Sequence, residues 1–208
     1  MEPRIRYAQA KDGVSIAFWT LGEGVPLVFM PLIPSHAQLA WQVPEIRRLY
    51  EGLAEGRRLV SYDSRGTGLS DRDVSDFSLD ALMLDLEAVV DHLELESFAL
   101  MGVSHMGMAA IAYAAHHPQR VTHLLLSASY AKAADYLKSP AVQAGRTLLD
   151  SDWELYTETA GHYAFGLGEV GQAQRYAAYF RESITQQAWR AAWGQLGKTD
   201  VSDVLAQV

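Results

Sequence analysis

Cysteine is absent from this chain of 208 residues. That gap removes disulfides, thiolate nucleophiles and sulfur-ligated zinc together, so the structure has to be held by packing. Long apolar runs are missing too: nowhere do about 18 apolar residues follow one another, which speaks against a membrane span. The N-terminal stretch Met1-Glu2-Pro3-Arg4-Ile5-Arg6 lacks the apolar centre of a secretory leader, and a cytoplasmic location is expected. Basic side chains are the minority, 17 against 25 acidic ones, and the formal charge of −8 opposes the phosphate-driven attraction behind non-specific nucleic-acid binding. Neither nucleic acid nor a membrane is an expected partner. With 49% hydrophobic and 20% charged residues, the chain is ordinary globular material, long enough for one well-buried core.

What is present has a clear order. Ile5 to Ala8 and Val14 to Thr20 flank the turn residues Asp12-Gly13, a hairpin pattern, and after Gly22-Glu23-Gly24 the run Val25 to Met30 reads as a buried strand. Ile46, Leu49, Tyr50 and Leu53 recur at helical spacing within Val43 to Glu55, and Gly56 stops that helix before the strand Arg58 to Tyr62. Ser78 is a good N-cap for a helix of about four turns whose apolar face is Leu79, Leu82, Met83, Leu86, Val89, Val90 and Leu93. The apolar runs Phe98 to Met101 and Val121 to Ser127 bracket a further helix, Met108 to Ala115. Such alternation predicts an α/β fold, a mostly parallel sheet with helices on both faces. After Ser129 the strands stop, so residues 1–129 are expected to form the core and residues 130–208 a helical cap. Aromatic residues gather in that second part, among them Trp153, Tyr156, Tyr163, Tyr179, Phe180, Trp189 and Trp193. They fit either the lining of a lid or the packing faces of amphipathic helices.

The densest chemical signal is Gly102-Val103-Ser104-His105-Met106-Gly107, placed directly between an apolar strand and a helix. A strand that turns abruptly into a helix with serine at the apex holds the hydroxyl clear of the sheet and aims the helix N-terminus at an oxyanion. The same residues also suit an ordinary strand-to-helix turn whose Ser104 only caps the helix.

Two further motifs fall in the matching order: Asp63-Ser64-Arg65-Gly66-Thr67-Gly68-Leu69-Ser70 after the fourth strand, and His117-Pro118-Gln119-Arg120-Val121 entering the sixth. With the elbow, they make the chain resemble the α/β-hydrolase superfamily, in particular its proline-iminopeptidase and haloperoxidase-like branch and relatives fused to regulatory or cyclase modules. The resemblance covers roughly Arg4 to Ser129, and more loosely a cap to about Gly197. It implies Ser104 as nucleophile, with the backbone N–H of His105 as one oxyanion donor and that of Leu32 or its neighbour as the other. It also implies two later strands bearing an acid and a histidine, which this sequence does not contain, so the fold is expected to be C-terminally truncated and the triad incomplete. The sequence departs from the family pattern at Met106, where a glycine is usual, and in the glycine-free loop Met30-Pro31-Leu32-Ile33-Pro34.

His36 follows that loop and is expected near the oxyanion and substrate side of the site, a role that outweighs its alternative as a substitute base, whereas His105 is expected to point away from Ser104. His92, His116, His117, His123 and His162 read as surface or packing residues. No ligand spacing suggests a metal, and no cofactor is expected. Asp63 and Arg65 are expected to satisfy buried backbone groups and each other. The expected function is hydrolysis of a small apolar ester, amide or related acyl compound. The alternatives are a non-catalytic ligand-binding or sensing module of the same fold, or a truncated reading of a longer gene. The strand Val121 to Leu126, left without its later neighbours, is expected to be an unpaired edge through which two copies associate.

Overall fold

The computed structural model describes residues 3–166 and 168–208; Met1 and Glu2 of the N-terminal stretch lie outside the described residues. Among the described residues six strands form one sheet in the order β1-β2-β4-β3-β5-β6, where β1 is Arg6–Gln9, β2 Ser15–Leu21, β3 Val25–Met30, β4 Arg57–Tyr62, β5 Phe98–Val103 and β6 Val121–Ser127. The β1–β2 hairpin is antiparallel and closes through Gly13, whose φ of +91° suits the glycine of a tight turn. It joins the sheet by pairing β2 with β4, while β4, β3, β5 and β6 run parallel to one another.

Parallel strands need crossovers, and these are the helices α1 (Pro44–Leu53), α2 (Leu79–His92) and α3 (Met106–His116). Ser78 caps α2 as its position predicts: its Oγ accepts the Ala81 N–H at 3.3 Å. Strand residues alternate between the two faces, and the core divides accordingly. Ile16, Phe18, Val28, Met30, Val60, Tyr62 and Leu100 pack with α2 and α3, whereas Trp19, Leu27, Phe29 and Leu59 pack with Tyr50 of α1 and with Trp41. The α1 side is an aromatic cluster in which Trp19, Trp41 and Tyr50 meet at 4.8–5.7 Å between ring centroids.

Beyond β6 the chain continues as α4 (Ala133–Leu137), α5 (Pro140–Ser151), α6 (Trp153–Phe165), α7 (Val170–Ser183) and α8 (Gln186–Leu196). Trp189, Phe180 and Leu149 join the larger core cluster, so much of the aromatic content is packing, while Tyr163 stands 76% exposed. The last residues return to α3: the Val201 N–H donates to the Ala131 carbonyl at 2.8 Å, and Val201 packs against Met108 and Ile111 of that helix. Nothing among the described residues pairs with the outer side of β6. Leu125 and Leu126 remain 41% and 45% exposed.

Candidate active site

The elbow forms where β5 ends. Ser104 takes a φ of +51°, a left-handed conformation that costs a non-glycine residue roughly 1–2 kcal/mol. Its N–H donates to the Ser127 carbonyl of the neighbouring strand at 3.0 Å, and its own carbonyl accepts the Gly107 N–H at 3.0 Å. Helix α3 therefore starts within two residues of the strand. Such closeness needs small residues: a Cβ on Gly102 would lie 2.7 Å from the Ala110 Cβ and 2.9 Å from the Gly107 Cα, and one on Gly107 would run into the Ser129 side chain. Met106 is accommodated because its side chain points away from this contact into the main core, where it is fully buried.

The Ser104 hydroxyl makes a polar contact with the hydroxyl of Tyr130, just past β6. Tyr130 stacks on Tyr136 at 4.8 Å, and Tyr136 stacks on Trp193 at 6.0 Å. Trp193 and Trp189, one helical turn apart on α8, both face the His105 ring at 6.3 Å. An aromatic wall thus runs from the serine to the residue beside it. Sequence reasoning missed Tyr130 and Tyr136 altogether; the i,i+4 spacing of the two tryptophans announced that they share a face, but not what the face would meet.

Of the two residues expected to carry oxyanion donors, His105 is the N-cap of α3, at the end where the first N–H groups have no partner within the helix. Leu32 is half-buried, and the loop amide that reaches the elbow belongs to its neighbour Ile33, which donates to His105 Nε2 at 3.2 Å. His105 is 8% exposed, and burial alone pushes its pKa down to about 4. The ring turns toward Ile33 and the tryptophans.

His36 is committed elsewhere. Its Nδ1 accepts the Leu39 N–H at 3.3 Å, its backbone N–H donates to the Tyr179 hydroxyl at 3.1 Å, and burial with nearby Arg72 lowers its pKa. Among the described residues no histidine hydrogen-bonds Ser104. Nor does any group of three or more His, Asp or Glu among them have the arrangement to hold a metal ion.

The Asp63 loop departs from one expectation. Asp63 and Arg65 do serve buried groups, but not each other. Asp63 Oδ2 accepts the N–H groups of Ala37 and Leu69 at 2.9 Å each, and burial raises its carboxyl to about 6. Arg65 pairs instead with Asp85 of α2 at 2.9 Å and with Asp12 of the hairpin turn at 2.7 Å. A guanidinium presents a wide fork of donors, and the carboxylates it meets come from two different elements that the sequence order does not bring together.

The family model of the alpha/beta hydrolase fold matches residues 36–190, so the chain belongs to that family. The AB hydrolase superfamily protein YisY of Bacillus subtilis is 30% identical over 147 residues, which span 70% of this chain and 52% of that protein. Proline iminopeptidase of Lactobacillus helveticus is 34% identical over 88 residues, 40% of this chain and 30% of that one. The chain thus spans about half the length of the first of these relatives and less of the second. Among solved structures, a bromoperoxidase from Bacillus anthracis superposes with a TM-score of 0.78 at 18% identity, covering 99% of this chain and 78% of that one. The esterase EaEST from Exiguobacterium antarcticum gives 0.77 at 23%, covering 97% and 76%. These likenesses establish the fold. No helix among the described residues is long and apolar enough to cross a membrane.

Proposed function

We propose that the chain is the nucleophile-bearing core of a serine hydrolase that acts on an ester, amide or related acyl compound with an apolar group. The observation that carries this is the left-handed Ser104 at a strand-to-helix junction: a strained serine at that place, with helix amides beside it, is the geometry acyl transfer requires. The aromatic wall of Tyr130, Tyr136, Trp189 and Trp193 supports the apolar character of the acyl group. The naming of an esterase and of proline iminopeptidase among the matches agrees with the reaction class. A fluorophosphonate probe should label Ser104 in the folded chain and leave Ser104→Ala unmodified; peptide mass mapping reads the site. Turnover of ordinary acyl esters by these 208 residues should be weak, because no histidine among the described residues hydrogen-bonds Ser104 and a serine lacking that base keeps only a small part of its catalysis. No labelling of the folded protein would favour the second reading, a ligand-binding module, which is supported by the occupied Ile33 amide and by the lack, among the described residues, of a histidine hydrogen-bonded to Ser104.

The same reading extends to association. β6 offers an uncovered row of backbone groups and two exposed leucines, a template for pairing with a second copy. Light scattering should show dimers or larger species for the wild type and a monomer for Leu125→Lys. A wild type that stays monomeric at high concentration would end that proposal.

A further inference from the structure

Ile33 and His105 meet because the sheet aligns them. Met30 of β3 pairs with Gly102 of β5, and each residue of the pair lies three positions before one of the two, so the loop and the elbow leave the sheet side by side. The Ile33 N–H ends on His105 Nε2 at 3.2 Å, in a buried setting. A backbone amide can only donate, so Nε2 must offer a lone pair and the ring proton must sit on Nδ1. Burial keeps the imidazole neutral, which preserves that acceptor at ordinary pH. Around it, His105, Trp189, Trp193 and Leu196 close together and leave no room between them even for a water molecule.

We propose that His105 is a gate on the anion-binding amides of the elbow: its Nε2 holds the Ile33 N–H, and an acyl oxygen or carboxylate gains that donor only by displacing the imidazole. The class of ligand follows from the chemistry. A neutral imidazole nitrogen is displaced by an acceptor carrying negative charge, because charge-assisted hydrogen bonds are about twice as strong as neutral ones. A resting, uncharged acyl group would meet a closed site, while charge developing on its oxygen would favour the open one. The naming of the displacing group as an acyl oxygen rests on the hydrolase reading above; the contact itself does not.

The test uses the full chain, isotopically labelled, with sodium benzoate as the probe and the imidazole and amide resonances of Ile33 and His105 as the readout. In the wild type at neutral pH, the Nε2 resonance should be that of an unprotonated nitrogen. Benzoate should shift the Ile33 amide in His105→Ala at a concentration at least tenfold lower than in the wild type, and equally so when Ser104→Ala is added. His105→Gln, whose side-chain oxygen can accept the same N–H, should behave as the wild type does. If His105→Ala does not fold, His105→Leu keeps the volume without the acceptor and takes its place. A proton on Nε2, an equal response in wild type and variant, or no response in either would each overturn the gate. Fluorophosphonate labelling of the same proteins separates the two ideas. A benzoate response without labelling leaves the gate and removes the nucleophile, and labelling with equal benzoate responses does the reverse.

Discussion

Two serine- and glycine-bearing loops leave the carboxyl edge of the same parallel sheet, residues 63–70 after β4 and residues 102–107 around the end of β5, and they spend their polar groups in opposite ways. In the first, Asp63 Oδ2 takes two amides, Ser70 Oγ donates to the Asp63 carbonyl and accepts from Ala17, Thr67 donates to the Ser64 carbonyl, and Arg65 bridges two carboxylates. Only Ser64 Oγ and Arg65 Nη2 stay buried without a partner among the described residues. Its positive-φ positions, Gly66 and Gly68, are glycines, so the turn is adopted without strain. In the second loop the positive φ falls on Ser104, whose hydroxyl is in polar contact with that of Tyr130. Dense bonding marks a loop that holds the fold together, whereas strain on a non-glycine residue at a helix N-terminus marks a place for chemistry.

The largest effect should come from removing Arg65. Arg65→Ala leaves Asp85, fully buried, without its cation, and should cost about 3–5 kcal/mol in denaturant unfolding. A loss below about 1 kcal/mol would mean that the loop is not the brace its bonding suggests.

Asp63 comes next. Asp63→Ala strands the Ala37 and Leu69 amides and should cost about 2–4 kcal/mol, whereas Asp63→Asn can keep both on its single side-chain oxygen. The pH dependence gives the sharper test. The Asp63 carboxyl is raised to about 6 in the folded protein, above the 3.8 of an unperturbed side chain, so the folded state binds the extra proton between these values. Its contribution to stability is therefore lost as pH rises from about 4 to about 6. Asp63→Asn should match the wild type near pH 4 and exceed it by up to about 3 kcal/mol above pH 7. Parallel stability curves for the two proteins would exclude a proton held at Asp63.

The smallest effect should appear at the elbow and carry the opposite sign. Ser104→Gly relieves a left-handed serine but loosens the unfolded chain, and the balance should raise stability by about 0–1 kcal/mol. A loss of more than about 1 kcal/mol would show that Ser104 is structural, and the contrast between the loops would collapse.

Much of this organisation could be read along the chain. The strand Val25–Met30, the strand Val121–Ser127, the Ser78 cap and the alternation that makes a parallel sheet are local signals, carried by side-chain periodicity and by the turn residues between them. The position of Ser104 between strand and helix was legible for the same reason, since the abruptness of the turn is itself a short-range property. Partners distant in sequence were not legible. Arg65 was expected to meet Asp63, two residues away, and instead meets Asp85 and Asp12, and strand register brings the Ile33 amide onto the His105 ring. The ring of His105 was expected to point away from the serine, and its direction is set by two tryptophans more than eighty residues later. Sequence alone therefore determined which segments become strands and helices and that Ser104 lies at a strand-to-helix turn, because backbone preference and burial pattern act over a few residues. Tertiary structure decided which donor meets which acceptor, because hydrogen bonds form within about 3 Å and only packing brings remote groups that close.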